Sequence, residues 1–205
     1  MDGVFMKKLL IIVIIAVAAV LLLRPLLSDK AALQDNILRL HVVANSDSDE
    51  DQQQKLSVRD SIIDYLQPKL EGLVDKEQVM SLIEEELPRL KQIAQETLET
   101  LGSKLSVAVK LCREEFDTRF YDTFSLPAGI YDALRIEIGE AEGKNWWCVV
   151  FPSLCMPAAG QNVVEAGAVA GIDEDLGNTL TGQKGYEVRF FLLDWLGKLE
   201  NFFTK

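Results

Sequence analysis

The 205 residues contain one histidine, three cysteines, and only 21 lysines and arginines against 32 acids. A single imidazole excludes a multi-histidine metal site, and any Ser-His-Asp or Cys-His centre would have to use His41. Cys112, Cys148 and Cys155 include no C-x-x-C pair, which removes zinc-ribbon and thioredoxin-type readings. At a net charge of -11 the chain lacks the cationic surface that displaces counterions from nucleic acid. G-x-G-x-x-G, G-x-S-x-G and H-E-x-x-H are absent as well. The run Gly177–Gly182 fails as a phosphate loop, because Gln183 holds the lysine position and Lys184 the Ser/Thr position. Asp47, Asp49 and Asp51 open like a calcium loop, but Gln52 and Val58 stand where Gly and a bidentate Glu are needed. No catalytic residue, cofactor or metal is assigned.

What is present describes one folded domain with an appendage. Apolar residues make up 48% and charged residues 26%, enough for a real core and too polar for a multi-span membrane protein. Lys7-Lys8 precede Leu9–Leu23, a run without charge, and Arg24-Pro25-Leu26-Leu27 follow. This is the pattern of a secretory signal or an uncleaved anchor that meets the membrane through residues 9–27. The charge-free stretch spans about 22 Å as a helix, short of a hydrocarbon core of about 30 Å. Ala16-Val17-Ala18 supplies a small-residue cleavage pattern, and export of the bulk follows on either reading. Residues 1–29 carry a net +1, so the acidity belongs wholly to the exported part.

Periodicity divides that part. Asn36–Val43 reads as a strand, and Ser48 with Asp51 resembles an acidic capping box opening a helix over 49–70, with Leu56, Ile63, Leu66 and Leu70 inward. A second helical pattern runs from Lys76 to Leu101, where Pro88 predicts a kink or a break. Period-two alternation then gives strands around Leu105–Leu111 and Leu134–Ile138, while Trp146–Phe151, apolar on both faces, reads as a central, covered strand; the last two are predicted as a hairpin joined by residues 139–144. Residues 156–185, rich in Gly and Ala, read as a flexible loop. Residues 186–205 read as an amphipathic helix that docks on the sheet rather than on a membrane, since Asp194 and Glu200 offset Arg189 and Lys198. The expected fold is α+β: residues 30–155 form an antiparallel sheet with helices packed on one face, preceded by the signal or anchor helix. Cys148 and Cys155 are close enough for a small disulfide loop, although three pairings, or three buried thiols, remain open.

Two dense polar-aromatic segments stand out. The first is RLHVVANSDSDEDQ, Arg39–Gln52, continuing to Lys55 and Val58-Arg59-Asp60; the second runs from Leu126 to Gly139 and on through GKNWWCVVFPSLC, Gly143–Cys155. Over roughly 36–155 these strings resemble the stage II sporulation protein R family of endospore-forming bacteria. The resemblance implies a signal rather than a catalyst. Proteins of this family are exported from the forespore into the space between the forespore and mother-cell membranes. There they activate a membrane-embedded aspartic protease that matures the sigma factor E precursor. The candidate contact residues are the polar and aromatic members of the two segments: Arg39, His41, Asn45, Asp47, Arg59, Asp60, Arg135, Asn145 and Trp146. Against this stand blander roles: a core position for one of Trp146 and Trp147, a structural His41, and internal Arg39–Asp60 or Arg135–Asp47 pairs. A different class of function, an envelope hydrolase using His41 with Cys148 or Cys155, predicts those side chains within hydrogen-bond reach. A passive structural envelope protein is the third possibility.

Overall fold

Strand-forming Leu38–Val43 (β1) is apolar enough to be covered on both sides, and all six of its residues are buried. The computed structural model describes residues 3–121, 123–152 and 172–204. Gly3–Asn36 (α1) precedes β1, and Asp49–Leu70 (α2) and Lys76–Thr100 (α3) follow it. Next come Val107–Phe116 (β2), the short pair Arg119–Phe120 (β3) and Ser125–Leu126 (β4), Gly129–Ile138 (β5) and Asn145–Phe151 (β6). Glu174–Leu180 (α4) and Glu187–Thr204 (α5) complete the order. The fold is α+β, a mostly antiparallel four-stranded sheet with helices and a leading N-terminal helix.

Strand order is where the structure departs from sequence periodicity. The order is β2-β5-β1-β6, with β1 parallel to β5 and antiparallel to β6. The predicted direct hairpin between β5 and β6 does not form, because β1 lies between them. Their connection crosses the end of β1 instead, where the Gly143 N–H donates to the Ala44 carbonyl at 2.9 Å and that of Glu142 to Asn45 at 3.2 Å. Glycine permits this approach. A Cβ at Gly143 would overlap the Ser46 carbonyl, and one at Gly139, where φ is +58°, would overlap the Asn45 side chain.

Helices α2 and α3 cover one face of the sheet, with Leu40, Val42, Leu134 and Ile136 meeting Val58, Ile62, Ile83 and Leu90. The α2 row is Val58, Ile62, Leu66 and Leu70, spaced by four; Leu56 and Ile63 lie beside it and are only half-buried. Helix α3 continues through Pro88 because that residue is exposed, so the ring and the Glu84 carbonyl it frees both face water. On the opposite face, Leu33 and Ile37 at the end of α1, Leu176 and Leu180 of α4, and Leu193 of α5 build a second core against Phe116, Tyr131 and Val149.

Within the stretch read as a loop, α4 is a capped helix, its Leu176 N–H donating to the Asp173 carboxylate at 2.7 Å. Cys155, and with it the Cys148–Cys155 candidate, lies outside the described residues; Cys148 is buried in the α2–α3 core and Cys112 is a free thiol. Toward the start of α1, side chains such as Leu10, Ile12 and Ile15 stand exposed. Among the described residues no helix is long and apolar enough to cross a membrane.

Candidate interaction surface

Where β1 ends, the chain turns through Asn45-Ser46-Asp47-Ser48, residues whose short polar side chains bond neighbouring backbone. Ser48 caps α2, accepting from the Asp51 N–H at 3.2 Å. The Asp51 carboxylate reaches back and accepts from Asn45 Nδ2 at 2.9 Å and Ser46 Oγ at 2.5 Å. Those hydrogen bonds, Ser46 first and then Asn45, hold its carboxyl below the usual carboxylate range. Asn45 faces both ways, since its Oδ1 also accepts from the Glu140 N–H at 3.0 Å. Lys144 N donates to Asp47 at 2.7 Å, and Lys55 Nζ donates to the Lys144 carbonyl at 3.0 Å. The two motif segments, nearly a hundred residues apart, are therefore tied into one loop cluster at the same end of the sheet.

Beside that cluster lies an exposed aromatic. Trp146 is 37% exposed, and the Arg59 guanidinium sits 4.3 Å above its ring while pairing with Asp60 at 2.6 Å. A guanidinium held over an indole is preorganised for a partner, and both residue types commonly anchor interfaces. Asn45, Asp47, Arg59, Asp60, Asn145 and Trp146 all gather here. The Asp47–Lys144 ion pair, 3.9 Å and largely solvated, adds little energy but marks the rim.

The other candidates do not join them. Arg39, His41 and Arg135 point to the opposite face of the sheet, and Arg39 is wholly inside. Its guanidinium lies 3.9 Å from the Phe116 ring and, among the described residues, receives no carboxylate; NH2 donates to the Tyr121 hydroxyl at 2.9 Å. Burial lowers its pKa, and the phenol dipoles and aromatic faces offset part of that cost. The proposed pairs Arg39–Asp60 and Arg135–Asp47 are absent, because each arginine lies across the sheet from its intended partner. Arg135 instead bonds Glu114 at 2.5 Å and Glu137 at 2.7 Å. Glu114 also faces His41 Nδ1 at 2.8 Å. Burial pushes the Glu114 carboxyl up, but its contacts to His41 and Arg135 outweigh this and leave it below the usual range.

His41 thus has the orienting carboxylate of a hydrolase, but among the described residues no nucleophile bonds it. Among the described residues its buried Nε2 makes no hydrogen bond, while Trp147 stacks on the ring at 5.5 Å and Arg119 caps Trp147 at 3.4 Å. Cys148 projects into the α2–α3 core on the far side of the sheet, so a His41–Cys148 pair is excluded by the alternation of β6. Glu114, Arg119 and Tyr121 lie outside both motif segments, and sequence reasoning missed them. The available signal was the period of β2, which puts Cys112, Glu114 and Phe116 on one face.

Comparison with known proteins agrees with the motif segments. The family model described as stage II sporulation protein R matches residues 34–161. A relative from Bacillus subtilis (strain 168), stage II sporulation protein R, is 32% identical over 185 residues, covering 82% of this chain and 83% of its own length. No solved structure matches the chain. With the motif segments inside the matched range and the relative covering about four-fifths of both chains, the chain belongs to the stage II sporulation protein R family, and so to the proteins of sporulation.

Proposed function

We propose that this chain is an exported signalling protein. It activates a membrane-embedded aspartic protease by direct contact, so that the protease matures the sigma factor E precursor across the septum. The observation that carries the reading is the convergence of both motif segments on the Asn45–Asp47–Lys144 loop cluster, with exposed Trp146 and half-buried Arg59 beside it. Export is supported by Lys7-Lys8 and the charge-free Leu9–Leu23 of α1, whose length suits the apolar region of a signal sequence. The protein then acts between the forespore and mother-cell membranes.

Co-expression with the protease and the sigma precursor in a non-sporulating host tests this. Cleavage that depends on this chain is the expected result, and cleavage that proceeds equally without it sinks the reading. Trp146→Ala should weaken the dependence by about tenfold or more, the effect of losing an interface anchor worth about 1.4 kcal/mol or more. Glu84→Ala, on the exposed side of α3, should leave it unchanged.

A further inference from the structure

Sequence weighing set Asp194 and Glu200 against Arg189 and Lys198 and so kept α5 off the membrane. In the folded chain both acids turn inward. Asp194 accepts from the Ala128 N–H at 2.9 Å and from the Thr118 hydroxyl, and Glu200 accepts from Lys30 at 2.7 Å, Gln34 at 2.8 Å and the Ile130 N–H at 3.3 Å. What remains outward is apolar. Val188, Phe191, Trp195 and Phe202, spaced three, four and seven, form one stripe, with Phe203 beside it. Phe191 is 65% exposed, Trp195 50% and Phe202 73%. Lys198 stands at the rim, and the exposed acid Glu187 is confined to the first residue of the helix.

We infer that the outer stripe of α5 is a lipid-contacting surface that lies on a bilayer at its headgroup boundary. Position argues for lipid over any other cover. The exposed apolar side chains of α1 run to Leu27, and the next residues in the chain are those that clamp α5: Asp29 to Arg189 at 2.8 Å and Lys30 to Glu200. The exposed apolar stretch of α1 thus leads along the chain directly into the residues that hold α5. Chemistry argues the same way, because an indole and a lysine beside phenylalanines match the amphipathic zone where aromatic belts sit. A charge-free stretch too short to span by itself also gains most from a second membrane contact. The inference rests on the reading that α1 meets a membrane.

The full chain, reconstituted into vesicles of phosphatidylcholine and phosphatidylglycerol with brominated acyl chains, gives the test. Trp195 emission is the difference between the wild-type protein and Trp195→Phe, a near-isosteric change at an exposed site that leaves Trp146 and Trp147 as the background. The inference requires loss of Trp195 emission, stronger with bromine near the headgroups than near the chain ends. Unquenched emission at both depths overturns it, and so does unquenched emission accompanied by a dimeric mass, which would make a second copy the cover. The protease assay separates the two proposals. Quenching without dependent cleavage defeats the signalling reading alone, and cleavage without quenching defeats only the lipid contact.

Discussion

Asp51 joins two elements through one carboxylate, and its lowered pKa makes that junction sensitive to acid. A carboxyl held lower in the folded than in the unfolded chain adds stability that is complete above the unfolded value, about pH 4. That stability is lost as pH falls through the folded value. Glu114, Glu137, Asp194 and Glu200 are shifted in the same direction, so acid removes stability from both faces of the sheet. Asp51→Asn should lower stability at neutral pH and flatten its decline below about pH 4, read from urea unfolding at several pH values. An unchanged slope would show that Asp51 is not among the groups that acid disrupts. Arg39 shows the limit of residue-level reading. Nothing in the string Leu38-Arg39-Leu40-His41 announces that Phe116 and Tyr131, far along the chain, supply the aromatic faces on which a buried guanidinium rests. An Arg39→Ala variant would therefore report on folding as much as on contact, and Trp146 is the cleaner probe.

At the scale of elements, the local signals were sound. Ser48 caps α2 where the Ser-x-x-Asp spacing placed it, and the period-two runs became β2 and β5. The doubly apolar Trp146–Phe151 became β6, but at an edge of the sheet rather than its centre, covered because helices pack on both sides. Pairing was not legible, because alternation assigns a strand its faces but not its neighbours. The decisive feature is the Gly139–Lys144 crossing, and its glycines looked like ordinary loop punctuation. They are packing requirements. Gly143→Ala should destabilise the domain by about 1–3 kcal/mol, as overpacking against backbone does. Amide exchange should quicken first around Ala44 and Lys144. Full stability in that variant would mean that the crossing does not lie flat on β1. The six gathered contact candidates were legible as strings, but only the insertion of β1 brings them to one end of the sheet.

For the molecule as a whole, the chain ends close the structure. α5 helps close the second core by lying across β5, close enough that a Cβ at Gly197 would overlap the Ala128 carbonyl. Asp194 fastens that contact to backbone. Asp194→Ala should cost about 1–3 kcal/mol, the usual penalty for orphaning buried donors. Its hydrogen-exchange signature should be local, with α5 and the Ala128 amide opening ahead of the α2–α3 core. Opening of the entire domain together would instead show a single cooperative unit.

The place of β1 in the sheet also sets the order in which the protein can fold. The first strand made occupies an interior position, and His41 pairs with Arg135 and Trp147, so neither edge of β1 has a partner until those distant segments exist. Such non-local pairing makes folding slow and late. A chain of this design threaded through a membrane from its N-terminus could form its local helices early, but could not complete its sheet until β6 had crossed, and so only on the far side.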